Sequence, residues 1–259
     1  MIKLTHPERR LRDILVAAAN TWPRKPEQAE PLIIRFAGGW VRDKLLNHQN
    51  HDIDIALNIA TGVQFASHLE QYLESQRVDT GEPFHFATIS QNVEQSKHLE
   101  TATAHFLDLG LDFVNLRSEE YADHSRIPET MQFGTPKEDA ERRDLTINSL
   151  FYNLHTESVE DFTGMGVDDL RNGVIRTPLD PLMTFKDDPL RVLRAVRFAA
   201  RLDFKIVKEV KSAIMDPEVK VSSNGGRLNV APSTDTSNYP SKSRRNQETP
   251  PTYSHAICY

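Results

Sequence analysis

Residues 32–57 read LIIRFAGGWVRDKLLNHQNHDIDIAL, and the order of residue types in this stretch decides the fold class. The apolar run at residues 32–37 ends at Gly38-Gly39, which is typical of a buried strand that enters a tight turn. Residues 40–46 predict one or two helical turns, and residues 51–57 alternate polar and apolar side chains as a half-buried strand does. This succession of strand, turn, short helix and strand predicts an α+β domain.

The same stretch carries residues that suit a triphosphate and metal ions. Gly38 and Gly39 lack a Cβ, so their backbone N–H groups can approach an anion closely. Asp52 and Asp54 are two apart on a strand, which places both carboxylates on one face. Two such oxygen ligands suit Mg²⁺, which binds a couple of carboxylates together with substrate phosphates. The combination favours a two-metal nucleotide site, whereas each half alone also fits a plain glycine turn or a solvated strand face.

A third acid, Asp112, stands in the alternating run Leu111-Asp112-Phe113-Val114. It could complete the metal site from a neighbouring strand, or it could occupy an exposed polar position of a half-buried strand. Both interpretations are open at the level of sequence.

Residues 141–148 read ERRDLTIN and lie in a segment, 138–154, for which we expect a helix. On a helix, Asp144 and Asn148 would share a face and could bond sugar hydroxyls. Arg142 and Arg143 offer forked donors suited to phosphate. The segment therefore suits a nucleotide, although charged helix starts are usually only solvated.

Asp187-Asp188-Pro189 predicts the start of a helix that runs to about Leu202. Asp188 and Arg191, near that start, could hydrogen-bond a base edge; the alternative is an N-cap and a surface stripe. Four arginines fall within a sector of about 120°, and the opposite side is expected to be core. The arginines are Arg191, Arg194, Arg197 and Arg201, and the expected core residues are Val192, Leu193, Val196, Ala199 and Ala200.

The remaining segments complete the expected organisation. We predict a helix within residues 1–30 and another at 63–73, strands at 84–89 and 111–116, a mobile loop at 91–103, and irregular structure at 117–137. Gly164, Gly166 and Gly173 are expected turn points of a loop and strand segment. Residues 221–259 are rich in Ser, Thr, Asn and Pro without periodicity, which predicts disorder.

Composition limits the class of protein. The 259 residues include 31 Lys and Arg against 37 Asp and Glu, and the net charge of −6 excludes a wholly basic nucleic-acid coat. No run approaches the roughly 18 apolar residues of a membrane span. A single cysteine, Cys258, excludes a disulfide scaffold and a cysteine-based zinc site. No leader signals export, so an intracellular protein of one large domain or two small ones is expected.

Residues from about 32 to 220 resemble the N-terminal half of the class II tRNA nucleotidyltransferases, the CCA-adding enzymes, of fungal type. The resemblance rests on four ordered blocks, at 38–43 with 52–54, at 142–148, at 161–178 and at 187–191, and residues 96–103 also look like the fungal enzymes. It implies a polymerase-β-like head with a small mixed sheet at 31–153, after an N-terminal helix and link at 1–30. A partial helical neck would follow at 154–220, and a tail outside the family at 221–259, so a chain truncated after the head and part of the neck is expected.

The resemblance also implies the chemistry. CMP, CMP and AMP would pass in steps from CTP and ATP to the 3′ end of a tRNA, with Asp52 and Asp54 holding two Mg²⁺ ions. The expected nucleotide-binding residues are Gly38, Gly39, Arg42, Arg142, Asp144, Asn148, Asp188, Arg191 and Arg194. Of these, Arg142, Asp144 and Asn148 fall in the ribose-reading motif. Asp188 and Arg191 fall at a protein template for C or A, preceded by Asp187 where the family usually has Glu.

Two other functions are also compatible with the sequence. A bacterial-type poly(A) polymerase shares the early motifs, although residues 96–103 favour the CCA-adding family. A non-catalytic fragment that binds nucleotide is the second, because most of the tRNA-binding surface of the family would be missing. The family serves cytosol, nucleus and mitochondria, and neither the compartment nor the oligomeric state follows from the sequence.

Overall fold

The computed structural model describes residues 2–23, 30–79, 81, 83–89, 101–121 and 128–221, and all of them belong to one compact unit. The helices in this part of the chain are α1 His6–Asn20, α2 Gly39–Leu45, α3 Gly62–Gln76, α4 Pro136–Glu141, α5 Gly166–Asn172, α6 Pro181–Asp187, α7 Leu190–Leu202, α8 Lys208–Met215 and α9 Pro217–Val221. The strands are β1 Ile34–Ala37, β2 Asp52–Leu57, β3 Phe86–Ile89, β4 Thr101–Phe106, β5 Leu109–Asn115, β6 Arg117–Tyr121, β7 Pro128–Phe133, β8 Leu150–Asn153, β9 Ser158–Asp161, β10 Val174–Ile175 and β11 Lys205–Ile206. None of these helices has the length and apolar character that crossing a membrane requires.

A seven-stranded mixed sheet is the centre of the fold, with the order β3-β4-β5-β2-β1-β8-β9. β1 pairs antiparallel with β2 and β8, whereas β2 pairs parallel with β5. One face buries the alternate residues Phe36, Ile55 and Phe113 in the main core, which also includes the apolar residues of α1 and α3. The α+β fold with a small mixed sheet is therefore confirmed.

Helices α1 and α3 begin at capping boxes, as their sequences dictate. Thr5 and Glu8 satisfy each other's backbone N–H at the start of α1, and Thr61 and Gln64 do the same for α3. Helix α1 confirms the helix predicted within residues 1–30, and its apolar stripe of Leu11, Ile14, Leu15 and Ala18 is buried. These two helices cover the sheet face that is opposite to the acidic residues.

Three expectations for the connecting segments are wrong. Residues 101–103 of the expected loop belong to β4, and the other loop residues lie outside the described part. Residues 117–137 were expected to be irregular, but Arg117–Tyr121 and Pro128–Phe133 form the antiparallel strands β6 and β7, Pro136 begins α4, and residues 122–127 lie outside the described part. The expected helix at 138–154 ends at Glu141, and a 3-10 turn at Thr146–Asn148 and strand β8 follow. Strand β8 forms because residues 150–153 are wholly buried and pair with β1 and β9.

Helix α7 has the predicted C-terminal end, but the face that it buries differs from the predicted one. Helix α7 ends at Leu202 as predicted, with Pro189 as its N-cap residue, and α6, which precedes it, was not predicted. Of the expected core residues, Leu193 and Val196 are instead 44% and 47% exposed, Ala200 is also exposed, and Ala199 is half-buried. The buried positions are Val192, Ala195 and Phe198, so the buried face is rotated toward the arginines. Of the predicted disorder at 221–259, Val221 is instead the last residue of α9, and residues 222–259 lie outside the described residues.

Candidate active site

Three aspartates lie on the sheet face opposite to the main core. Asp54 of β2 pairs in register with Asp112 of β5 and with Ala37 of β1. Paired residues point to the same face, and Asp52 shares that face because it is two residues from Asp54. Asp52 and Asp112 are exposed, whereas Asp54 is half-buried. The structure thus brings the third acid beside the predicted pair.

The ionisation of Asp54 is unfavourable in its surroundings. Burial raises the pKa of Asp54, and the nearby carboxylates of Asp112, Asp139 and Asp52 raise it further. The guanidinium of Arg143 opposes these effects and lowers the pKa. A carboxylate in this position gains stability from any cation that binds beside it.

The Gly38 turn meets this acidic group. Gly38 has a φ of +63°, and a Cβ built on it would lie 2.7 Å from Nη1 of Arg143 and 3.7 Å from Oδ2 of Asp54. Glycine is needed here for both its conformation and its size. The Gly38 N–H donates to the Leu150 carbonyl at 2.9 Å, and Gly39 begins α2, so the turn brings the start of this helix close to a guanidinium and a carboxylate.

Asp139 is a site residue that was not predicted from the sequence, and Arg143, predicted as a donor suited to phosphate, joins it near Asp54. The Asp139 carboxylate, which is 1% exposed, accepts hydrogen bonds from Arg142 Nη2 at 2.6 Å and from Arg143 Nη2 at 2.9 Å. Burial acts to raise the pKa of Asp139, but the guanidiniums of Arg143 and Arg142 hold it below its usual value. Their signal in the sequence is the spacing of three and four residues between Asp139 and the two arginines.

Four of the predicted nucleotide-binding residues contact one another. Arg42 Nη1 donates to Asn148 Oδ1 at 2.6 Å, and Asn148 Nδ2 donates to Asp144 Oδ1 at 3.0 Å. Arg194 Nε donates to Asp144 Oδ2 at 2.6 Å. The expected proximity of Asp144 and Asn148 therefore holds, although a tight turn rather than a continuous helix produces it.

The remaining predicted residues lie at the start of α7. The Asp188 carboxylate accepts a hydrogen bond from the Leu190 N–H at 3.0 Å, as a capping residue does. Arg191 lies three residues further along and is half-buried. Burial raises the pKa of the preceding Asp187, and the charge of Arg191 lowers it.

The acidic residues fit a divalent metal that is shared with a substrate. Within the described ranges, no group of three or more His, Cys, Asp or Glu side chains is close enough to form a metal cage. Mg²⁺ needs no such cage, because one or two carboxylates together with waters and substrate phosphates complete its coordination. The raised pKa of Asp54 and the mutual repulsion of the aspartates fit a role as such ligands.

A mixed sheet with paired aspartates beside a Gly-Gly turn defines the head of a nucleotidyltransferase. Residues 34–176 match the family model described as Poly A polymerase head domain. The chain belongs to this family, which implies a divalent metal ion.

Similar proteins confirm the resemblance to CCA-adding enzymes. The CCA tRNA nucleotidyltransferase, mitochondrial, of Saccharomyces cerevisiae is 49% identical over 225 residues, which are 86% of this chain and 41% of that protein. The protein of the same name from Candida glabrata is 50% identical over 224 residues, 86% of this chain and 42% of that protein. A solved CCA-adding enzyme in its apo form II is 28% identical with a TM-score of 0.63, and the match covers 82% of this chain and 44% of that one. The chain thus spans about two-fifths of the length of these curated relatives.

Proposed function

We propose that the chain catalyses the transfer of CMP and AMP from CTP and ATP to the 3′ end of tRNA, without a nucleic-acid template. The observation that carries the proposal is the convergence of Asp54, Gly38 and Arg143 at one end of β1 and β2. The names of the fungal relatives support tRNA as the substrate. In this proposal residues 31–153 are the head, and residues 154–220 belong to a helical neck.

In this proposal each part of the site has a distinct task. Asp52 and Asp54, with Asp112 beside them, would hold Mg²⁺, which would supply positive charge to activate the attacking hydroxyl and to steady the leaving pyrophosphate. The backbone at Gly38-Gly39 and the Arg143 guanidinium bind triphosphate oxygens. Asp144 and Asn148 bond the ribose, with Arg142 behind them on Asp139. Asp188 and Arg191 hydrogen-bond the base edge.

The decisive experiment supplies the purified chain with Mg²⁺, labelled CTP and ATP, and a tRNA that lacks its 3′ CCA. We expect addition that stops after three nucleotides and that is absent in Asp54→Asn. Asp108→Asn, which makes the same chemical change on an exposed turn, is the matched control and is expected to retain activity. Equal turnover by wild type and Asp54→Asn contradicts the assigned site.

A second candidate is poly(A) synthesis, favoured by the description of the family model as a poly A polymerase head. Long A tails in the same assay, with no requirement for CTP, would establish it instead. Mg²⁺-dependent binding of CTP without addition would indicate a nucleotide-binding chain without turnover. An intracellular location is supported by the two yeast relatives, which are named mitochondrial proteins.

A further inference from the structure

A closed circuit of side chains joins α2, the turn at residues 144–148, and α7. Three hydrogen bonds, from Arg42 through Asn148 and Asp144 to Arg194, form the first part of the circuit. The ring of Phe198 closes it. The guanidinium carbon of Arg42 lies 4.7 Å from the ring centroid, and that of Arg194 lies 5.7 Å from it. One aromatic side chain of α7 therefore contacts both ends of a polar chain that reaches the head.

The position of Phe198 suits a platform for guanidinium groups. Phe198 is 5% exposed, and a third guanidinium, of Arg197, lies 5.1 Å from the ring centroid. A guanidinium over an aromatic face is attracted to the ring electrostatically, and more strongly when water is excluded. An aliphatic side chain of similar volume would fill the same space without this attraction.

Arg42 is a buried member of the circuit. It is 4% exposed, and its Nε and Nη2 atoms contact the Asp43 carboxylate at 2.8 Å and 2.7 Å. Arg42 Nη1 donates to Asn148 Oδ1, and the ring of Phe198 lies against the planar face of the Arg42 guanidinium. Three of its five N–H groups are thereby engaged within the protein.

The circuit fixes the rotation of α7. Arg194 and Phe198 are four residues apart and lie on one side of the helix, as does Arg191, which is two turns or about 10.5 Å away from Phe198 along the axis. The opposite side of α7 does little to hold the helix in this orientation, because Leu193 and Val196 on that side are 44% and 47% exposed. Loss of the ring contact would therefore let the helix turn and displace its first residues.

We propose that Phe198 is a positioning residue for base selectivity. Its ring orients Arg42 and Arg194, and these contacts hold α7 so that Asp188 and Arg191 face the base. The inference rests on the proposed function, because it assumes that the start of α7 reads the base edge. CTP and UTP are the informative pair of probes, since a donor on the cytosine edge is replaced by an acceptor on the uracil edge.

The test measures the affinity of the full chain for CTP and for UTP in the presence of Mg²⁺. We expect Phe198→Leu to reduce the preference for CTP over UTP by on the order of five- to tenfold, because the ring attraction is lost. Phe198→Tyr keeps the ring and is expected to keep the preference. Phe185→Leu is the matched control, since Phe185 is a buried phenylalanine of α6 with no guanidinium over its ring among the described residues. It is expected to lose thermal stability and to keep the preference.

The outcomes separate this inference from the proposed function. A wild-type chain that binds no nucleotide overturns the proposed function, and this inference with it. A selective wild type whose Phe198→Leu variant stays equally selective overturns the positioning role alone. An equal loss of preference in Phe185→Leu, or in Phe198→Tyr, also overturns it, since the effect would then be one of general packing.

Discussion

Asp54 illustrates how a single residue carries an electrostatic cost for the sake of a ligand. Burial and three neighbouring carboxylates raise its pKa, so the charged form is disfavoured in the protein alone. Arg143 compensates only in part, because it is also bonded to Asp139. A bound divalent cation reverses the balance, because it is the largest local charge in such a site. Without metal, an uncharged side chain at this position would make the protein more stable. Metal binding, in contrast, requires the charged carboxylate.

We expect Asp54→Asn to raise the free energy of unfolding at pH 7 when divalent metal is removed with a chelator. A carboxyl group whose pKa is raised in the folded state binds its proton more tightly there than in the unfolded chain. The wild-type penalty is therefore present above the folded pKa and is lost as the pH falls below the ordinary value of 3.8. Urea unfolding across this pH range measures the difference between the two proteins.

The increase in unfolding free energy caused by Asp54→Asn should be largest at neutral pH and should become smaller as the pH is lowered. Asp108→Asn removes a carboxylate from an exposed turn and controls for the change in net charge. A uniform gain at all pH values, or an equal gain in Asp108→Asn, would contradict the electrostatic explanation.

Position 38 requires glycine for two reasons, its positive φ and the lack of space for a Cβ atom. We expect Gly38→Ala to destabilise the fold by about 1 to 3 kcal/mol more than Gly164→Ala, because its Cβ must displace a packed group. Both glycines have positive φ, at +63° and +68°, so both variants carry the strain of the left-handed conformation. Only the Cβ at Gly38 meets other atoms, with Arg143 Nη1 at 2.7 Å, while nothing lies within 4 Å at Gly164. Equal losses in thermal denaturation would show that strain alone decides.

At the scale of elements, periodic patterns predicted structure well where local contacts decide it. The stripe of α1 and the strands around Gly38-Gly39 follow from spacing that is visible in the sequence. The expected helix at 138–154 is wrong because the pairing of Phe151 and Tyr152 with β1 outweighs local preference. The orientation of α7 was also missed, since the burial of Phe198 depends on its contact with Arg42, which lies more than a hundred positions earlier in the chain.

The N-terminal helix is joined to the helix of the glycine turn by a buried ion pair. The Glu8 carboxylate accepts hydrogen bonds from Trp40 Nε1 at 3.3 Å and from Thr5 N–H at 2.7 Å, and Lys44 Nζ lies 2.6 Å away. The side chains of Glu8 and Lys44 are only 3% and 12% exposed. Through these contacts α1 holds α2, whose first residue is Gly39, against the sheet.

We expect Lys44→Met to cost about 3 kcal/mol of unfolding free energy, because it leaves a buried carboxylate without its cation. Lys137→Met is the matched control, since Lys137 pairs with Glu141 on the surface and its side chain is 66% exposed. The control should change stability by no more than about 0.5 kcal/mol. Urea denaturation measures both, and equal effects would mean that Glu8 is solvated in solution.

At the scale of the whole molecule, the sheet separates structural and chemical tasks between its faces. One face is sealed by α1, α2 and α3, and the other presents the aspartates. The sequence predicted this division from the alternation at 51–57. It could not predict how α7 is anchored to the head, because that anchoring depends on five side chains from three separate segments.

We expect hydrogen exchange to reveal an order of stability that follows this division. The amides of α7 should exchange at least about tenfold faster than those of β1 and β2, or open about 1.4 kcal/mol more easily. Helix α7 buries only Val192, Ala195 and Phe198, whereas β1 is buried along its whole length. Exchange followed by mass spectrometry without ligand measures both regions in one sample. Equal protection of α7 and the sheet would mean that they open as one cooperative unit, and that the contacts of Phe198 with Arg42 and Arg194 are strong enough to merge the helix into the core.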